Sequence, residues 1–284
     1  MNKRLASAIF GALMVLPVSA QTFTFTAIPD QDESKLRTRF EQVATHLSDQ
    51  LGVDVKFVPV KSYAAAITAF RNDEVQLAWF GGLSGVQARA RVPGSVAIAQ
   101  GYEDQFFKSY FIAHQSTGLT SGDSLSDALK GKTFTFGSKG STSGRLMPEF
   151  YLREQFQQAP NKTFKKVGFS GDHSRTIALV QAGSYQVGAV NYKVWESELA
   201  AGKIDTDKVS VIWETPTYPD YHWTIRGDVD QRFGDGFTQK VTDTLLNMKQ
   251  PQLLNAFPRS SFVPASNDDY GPIKATAKSI GLMD

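Results

Sequence analysis

The sequence predicts an α/β protein built as two lobes with a ligand cleft between them. Three observations carry that prediction. Residues 23–80 read as strand–helix–strand–helix–strand, the same alternation restarts at residue 132, and polar stretches at 118–123 and 214–227 offer two crossings between the units. The 284 residues, 41% hydrophobic and 20% charged, are ordinary for a soluble globular chain near the length at which one core divides into two.

In chain order, Lys3 and Arg4 precede an apolar run from Leu5 to Val18, and Val18-Ser19-Ala20 has the small residues that a secretion peptidase cuts after. The run falls short of the roughly 20 residues that a membrane-crossing helix needs, so residues 1–20 are expected to be a signal peptide rather than an anchor. Removing them takes away two basic residues of 30 and leaves 28 of each sign, a net charge of zero. Without a basic stripe or a nucleic-acid-binding signature, no nucleic-acid partner is expected. The chain has no cysteine, which excludes disulfides, thiolate chemistry and a lipid anchor on an N-terminal cysteine. An exported chain of this kind is expected to diffuse freely in the periplasm as a monomer.

Phe23 to Ile28 alternates apolar and polar residues as a strand does. Asp32 or Ser34 then caps a helix to about Leu51, with Leu36, Phe40, Val43, Ala44 and Leu47 on one face. Strands at 53–59 and 75–80 flank a helix at 62–72. Gly81-Gly82-Leu83-Ser84-Gly85 reads as a loop, 86–91 as the start of a helix, and 107–113 as a strand. In the second unit, 126–129 reads as a short helix, 132–136, 165–169, 186–190 and 209–213 as strands, and 145–156, 173–182 and 191–201 as helices. The remainder of the chain reads as mainly helical. The expected boundaries are 21–116 for the first part of lobe one, 117–215 for lobe two, and 216–284 for the return to lobe one.

Ligands of open parallel sheets sit outside the carboxyl ends of the strands, and the informative loops fall there. Gly140-Ser141-Thr142-Ser143-Gly144 follows a strand and opens a helix. Amides at a helix start and three hydroxyls offer donors to an anion; the same residues also suit an ordinary serine-rich N-cap. The segment lacks the Gly-Lys-Ser/Thr ending of a phosphate loop. His173, in Ser170-Gly171-Asp172-His173-Ser174, either donates to an oxyanion or caps its helix, and the other histidines have no metal-like spacing with it. Tyr63 begins a helix after a strand. Trp79 ends a strand, as pocket wall or core residue. Pro219-Asp220-Tyr221-His222-Trp223 lies near the return crossing, as a pocket rim or as a turn before a core tryptophan.

Val60-Lys61-Ser62-Tyr63, Leu77-Ala78-Trp79-Phe80-Gly81-Gly82, Gly140-Ser141-Thr142-Ser143 and Gly171-Asp172-His173 together resemble the phosphonate/phosphite-binding protein family of ABC importers. The resemblance implies a type II periplasmic binding protein whose two lobes close over a ligand, a membrane permease as partner, and no cofactor. It also implies that Tyr63, Ser141, Thr142, Ser143 and His173 contact the oxyanion, and that Trp79 replaces a cleft tyrosine. Members that hold an aminoalkylphosphonate place carboxylates near its ammonium group. Here Asn191 is neutral and the second carboxylate is absent or shifted to Asp220, beside Tyr221, so a compact tetrahedral anion is expected instead. The chain is also similar to a subgroup labelled as selenate transport binding proteins. An Asp220 that points into the cleft would favour a protonated anion over selenate. Two other readings are an oxyanion sensor reporting to a membrane kinase, and a secreted esterase or phosphatase using Ser141 or Ser143 with His173 as base.

Overall fold

The computed structural model describes residues 21–284; the expected signal peptide lies outside the described residues. Among the described residues, eleven strands form two sheets. The first contains β1 (Phe23–Ala27), β2 (Val55–Phe57), β3 (Leu77–Phe80), β4 (Val96–Gly101), β10 (His222–Ile225) and β11 (Phe262–Pro264), in the order β11-β4-β10-β3-β1-β2. The second contains β5 (Ser109–His114), β6 (Thr133–Phe136), β7 (Lys166–Phe169), β8 (Val187–Asn191) and β9 (Val209–Glu214), in the order β7-β6-β8-β5-β9.

Both sheets have a parallel half and an antiparallel half, where the sequence alternation suggests parallel pairing throughout. β2, β1 and β3 run parallel, as do β7, β6 and β8. Two of the antiparallel strands stand next to the crossings: β10 enters between β3 and β4, and β5 lies between β8 and β9; the third, β11, pairs with β4 at the sheet edge. A strand that returns from the other lobe without a crossover helix arrives from the opposite end, which sets its direction.

β5 corrects the first boundary. Its pairing with β8 and β9 places Ser109–His114 in lobe two, so the first crossing is residues 102–108 rather than 118–123. The second is residues 215–221. The two crossings pair at Phe107 and Tyr218, each amide donating to the other's carbonyl at 2.9 Å.

The segment read as a glycine loop at 81–85 is instead the first turn of a helix, Gly82–Arg91. Its glycines are there for packing: a Cβ on Gly85 would collide with the buried His222 ring, and one on Gly81 would lie 3.0 Å from Asp220 Oδ1. The first lobe's core is aromatic, with Phe25, Phe40, Trp79, Trp223 and Phe257 in mutual edge or tilted contact. Each fully buried ring of this kind contributes about 1.5–3 kcal/mol. Smaller clusters around Phe111, Phe134 and Val187, and around Ile112, Val190 and Trp195, cover the two faces of the second sheet.

Candidate functional site

The carboxyl ends of β1, β3, β6 and β8 and the chain that enters β10 meet between the lobes. Tyr63 is the first residue of the helix Tyr63–Arg71, whose cap Ser62 accepts the Ala65 amide at 3.1 Å. Its ring lies against Gly140, where a Cβ would approach the Tyr63 Cβ to 3.1 Å, so glycine lets the loop of lobe two reach it. Burial, reinforced by the negative Asp30 and Asp220, pushes the Tyr63 phenol well above its usual range and keeps it a proton donor. The Ser141 and Tyr221 hydroxyls temper that shift, yet neither completes a hydrogen bond to the Tyr63 oxygen.

Ser141 caps a π-turn, Thr142–Leu146, that precedes the helix Met147–Phe156. The Leu146 amide donates to the Ser141 carbonyl at 3.0 Å, and the Gly144 amide to Ser141 Oγ at 2.9 Å. This wide turn keeps the amides of Thr142 and Ser143 at positions that have no intrahelical acceptor. Thr142 Oγ1 accepts the Leu83 amide of lobe one at 3.0 Å, a bond across the cleft. Ser143 Oγ is buried and has no partner in the protein.

His173 opens the helix His173–Gln181, which Asp172 caps by accepting the Arg175 amide at 2.7 Å. Its Nδ1 accepts the Asn191 amide at 3.2 Å, so Nε2 carries the hydrogen, and Nε2 is buried without a partner. Burial pulls this imidazole down to about 3, so it is a neutral donor at ordinary pH.

Asp220 is buried where the lobes meet, beside Gly82 of lobe one and the Thr142 hydroxyl of lobe two. Its Oδ1 accepts the Gly82 amide at 2.9 Å, and Oδ2 has no partner. Burial pushes the carboxyl up to about 7 against the lowering effect of the Gly82 amide and the nearby Thr142 hydroxyl. Asn191 and Tyr221 differ from these residues because they are engaged. Asn191 Oδ1 caps the next helix through the Lys193 and Val194 amides at 2.7 and 3.1 Å, and its Nδ2 donates to Tyr221 Oη at 2.9 Å. Tyr221 Oη in turn donates to Asp30 Oδ2 at 2.9 Å.

Trp79 stacks on Tyr221 at 5.7 Å and meets Phe257 at 5.0 Å, as the wall behind Tyr221 within the aromatic core. Asp30 and the amides of Gly82 and Leu83 are the participants that the sequence reading missed. Asp30 stands just after β1, at a carboxyl strand end like the others; its place in a turn-forming Pro29-Asp30-Gln31-Asp32 run disguised it.

Among the described residues, four buried side-chain atoms at this meeting of the lobes thus lie without protein partners: Tyr63 Oη, Ser143 Oγ, His173 Nε2 and Asp220 Oδ2. Three are hydrogen donors and one belongs to a carboxyl group. A fifth, Trp223 Nε1, is enclosed by the rings of Phe25, Trp79 and Phe257. Outside the buried cluster, a groove of about 760 Å³ opens between the lobes, bordered by Lys61, Lys139, Arg175, Asp172 and Phe169. Among the described residues, no cluster of three or more His, Cys, Asp or Glu could hold a metal ion, and no helix is long and apolar enough to cross a membrane.

Two α/β lobes joined by paired crossings, with buried polar groups from both facing one another, define a two-lobed ligand-binding protein. Residues 25–270 match the family described as ABC transporter, phosphonate, periplasmic substrate-binding protein, and the chain belongs to that family. It is 41% identical to the probable ABC transporter phosphite binding protein PhnD1 of Prochlorococcus marinus (strain MIT 9301), over 98% of this chain and 94% of that one. The structure of that PhnD1 in complex with methylphosphonate superposes with a TM-score of 0.86, covering 92% of this chain and 99% of the other. A binding protein component of an ABC phosphonate transporter from Pseudomonas aeruginosa, 26% identical, gives a TM-score of 0.78 over 91% of this chain and 86% of the other.

Proposed function

We propose that this protein is the periplasmic, freely diffusing binding component of an ABC importer, and that it encloses a small tetrahedral oxyanion which carries a proton, of the phosphite or methylphosphonate kind. The monomer delivers it unchanged to a membrane permease. The observation that carries this reading is Asp220 Oδ2, a carboxyl oxygen buried among donors. Tyr63 Oη, Ser143 Oγ, His173 Nε2 and the hydroxyls of Ser141 and Thr142 suit the bare oxygens of such an anion. The Asp220 carboxylate suits its one P–OH group, because a hydrogen between two oxygens turns a repulsive contact into a charge-assisted bond. Selenate and sulfate have no such hydrogen at neutral pH, so Asp220 must itself keep the proton for them to fit, which disfavours them increasingly above about pH 7. A relative that is named a probable phosphite binding protein, and whose structure is a complex with methylphosphonate, supports the ligand class.

Asn191 supports the exclusion of an aminoalkyl group. Its oxygen is occupied by two helix amides and its neutral side chain offers an ammonium no countercharge. The hydrolase reading needs His173 to take a proton from Ser141 or Ser143. The Nε2 that faces the cleft already carries one, and Nδ1 is occupied by the Asn191 amide.

Calorimetry at pH 7 with phosphite, methylphosphonate, 2-aminoethylphosphonate, phosphate, sulfate and selenate tests the proposal. Phosphite or methylphosphonate is expected to bind tightest. The absence of saturable binding to any of the six would sink it, and tight 2-aminoethylphosphonate binding would overturn the inference from Asn191.

A further inference from the structure

We infer that Asp30 is a positioning residue that latches the lobes together, holding Tyr221 through its carboxylate and His173 through its carbonyl, and so sets how long a ligand stays. Each half of the latch is assembled within its own lobe. On the side of lobe one, Tyr221 Oη donates to Asp30 Oδ2 at 2.9 Å, and the tyrosine ring is wedged between Trp79, Phe107 and the Arg259 guanidinium at 5.7, 5.3 and 5.2 Å. On the side of lobe two, the Asn191 amide donates to His173 Nδ1 at 3.2 Å.

Two bonds then join the halves. The His173 amide donates to the Asp30 carbonyl at 2.9 Å, and Asn191 Nδ2 donates to Tyr221 Oη at 2.9 Å. All the polar groups of the latch are buried. Only interactions that differ between two states bias their equilibrium, and these two bonds exist only where the lobes meet. Asp30 belongs to both: one is made by its own carbonyl, and the other by the hydroxyl that its carboxylate orients. When Tyr221 donates to Asp30, its oxygen lone pairs are left facing Asn191. Without that acceptor the hydroxyl has no fixed direction, and the Asn191 bond loses its alignment. The same contact fixes His173 from behind, so Asp30 acts on the candidate site without itself being counted among its free donors.

The identity of the ligand rests on the function proposed above; the latch does not. Stopped-flow binding of phosphite and methylphosphonate to the full mature chain tests it. Asp30→Ala and Tyr221→Phe are each expected to raise the off-rate about tenfold and to change the on-rate less than about threefold, because the cross-lobe Asn191–Tyr221 bond that both weaken acts after encounter, while the main-chain bond from the His173 amide to residue 30 remains. The double variant is expected to be no worse than either single one, as for two members of one unit. Asp30→Asn, which keeps a carbonyl oxygen for the Tyr221 hydroxyl, is expected to restore a slow off-rate. Additive single effects, an unchanged off-rate, or an on-rate that falls in step with it would each overturn the latch.

A ligand-free measurement separates this inference from the reading of the ligand. The chain has no cysteine, so dyes on Lys56→Cys in lobe one and Lys203→Cys in lobe two report closure by energy transfer. Both positions are exposed. Asp30→Ala and Tyr221→Phe are expected to lower the closed fraction. If wild type binds neither anion, the ligand reading fails while this signal still decides the latch, and a closed fraction unchanged by both substitutions refutes it.

Discussion

Replacing Asp220 by Asn exchanges a hydrogen acceptor for a donor at Oδ2 while leaving an oxygen for the Gly82 amide. The consequences follow from the raised carboxyl. Its rise from 3.8 to about 7 means that the folded protein holds one proton more than the unfolded chain between about pH 4 and 7. Wild-type stability therefore falls as pH rises through that window, by up to roughly 4 kcal/mol. Asn does not titrate. Ligand-free Asp220→Asn is thus expected to match wild type at pH 4 and to exceed it by a few kcal/mol at pH 8. Affinity is expected to move the other way: phosphite and methylphosphonate lose an acceptor for their P–OH and bind about 30- to 100-fold more weakly at pH 7, a cost of about 2–3 kcal/mol. Sulfate and selenate gain a donor and bind more tightly. Denaturant unfolding at the two pH values, with calorimetry for the four anions, reads all three effects. An equal loss of affinity for every anion, or no gain in stability at pH 8, would refute the assignment of Asp220 as the carboxyl group that shares the ligand's proton.

Ser143→Ala and Tyr63→Phe each remove a buried hydroxyl that has no partner in the protein. Melting of the ligand-free protein is expected to change little, while affinity for methylphosphonate falls about tenfold in calorimetry. Arg259→Met strands Asp104, which is buried and held by two guanidinium bonds at 2.7 and 2.8 Å; a loss of about 3–5 kcal/mol in urea unfolding is expected, with much of it recovered when Asp104→Asn is added. Because the candidate donors are buried and neutral, the equilibrium affinity is expected to vary less than about threefold between 50 and 500 mM salt in a titration series.

The sequence pattern made the alternating elements legible because strands and amphipathic helices impose their periods locally. The strands and helices of residues 23–80 and 132–213 are therefore legible in the sequence. β4 and β11 escaped because their short segments, Val96–Gly101 and Phe262–Pro264, lack a clear alternation; they are strands because a neighbour pairs with them. Gly81 to Gly85 misled for a related reason. The glycines signal flexibility when read alone, whereas the buried His222 ring shows that they make room. The role of Asn191 was beyond reach, since it depends on Tyr221 and on two amides of its own helix. The pairing of Asp30 with Tyr221 spans 191 residues, and that of Gly82 with Asp220 spans 138. No local pattern encodes either.

What was legible in the site shares one physical cause. Tyr63, Thr142 and His173 are each the first residue of a helix or helical turn, and Ser141 is a cap; Gly82, which the sequence disguises as part of a loop, also starts a helix, and Asn191 caps one. Helix starts leave amides unpaired and carry a partial positive charge, worth about 0.3–1 kcal/mol each to a nearby negative group. Several such starts aimed at one place favour an anion without placing a lysine or arginine beside it. This also explains the tolerance for Asp220, which rests on the Gly82 amide at one of these starts. In the site proposed above, closure is therefore necessary for binding. Tyr63 and Gly82 belong to lobe one, Thr142 and His173 to lobe two, and neither lobe alone presents both sets of donors. In that proposed site, the cross-lobe bond from the Leu83 amide to Thr142 Oγ1 and the bond from the His173 amide to the Asp30 carbonyl are part of the recognition, because they hold the two sets of donors together.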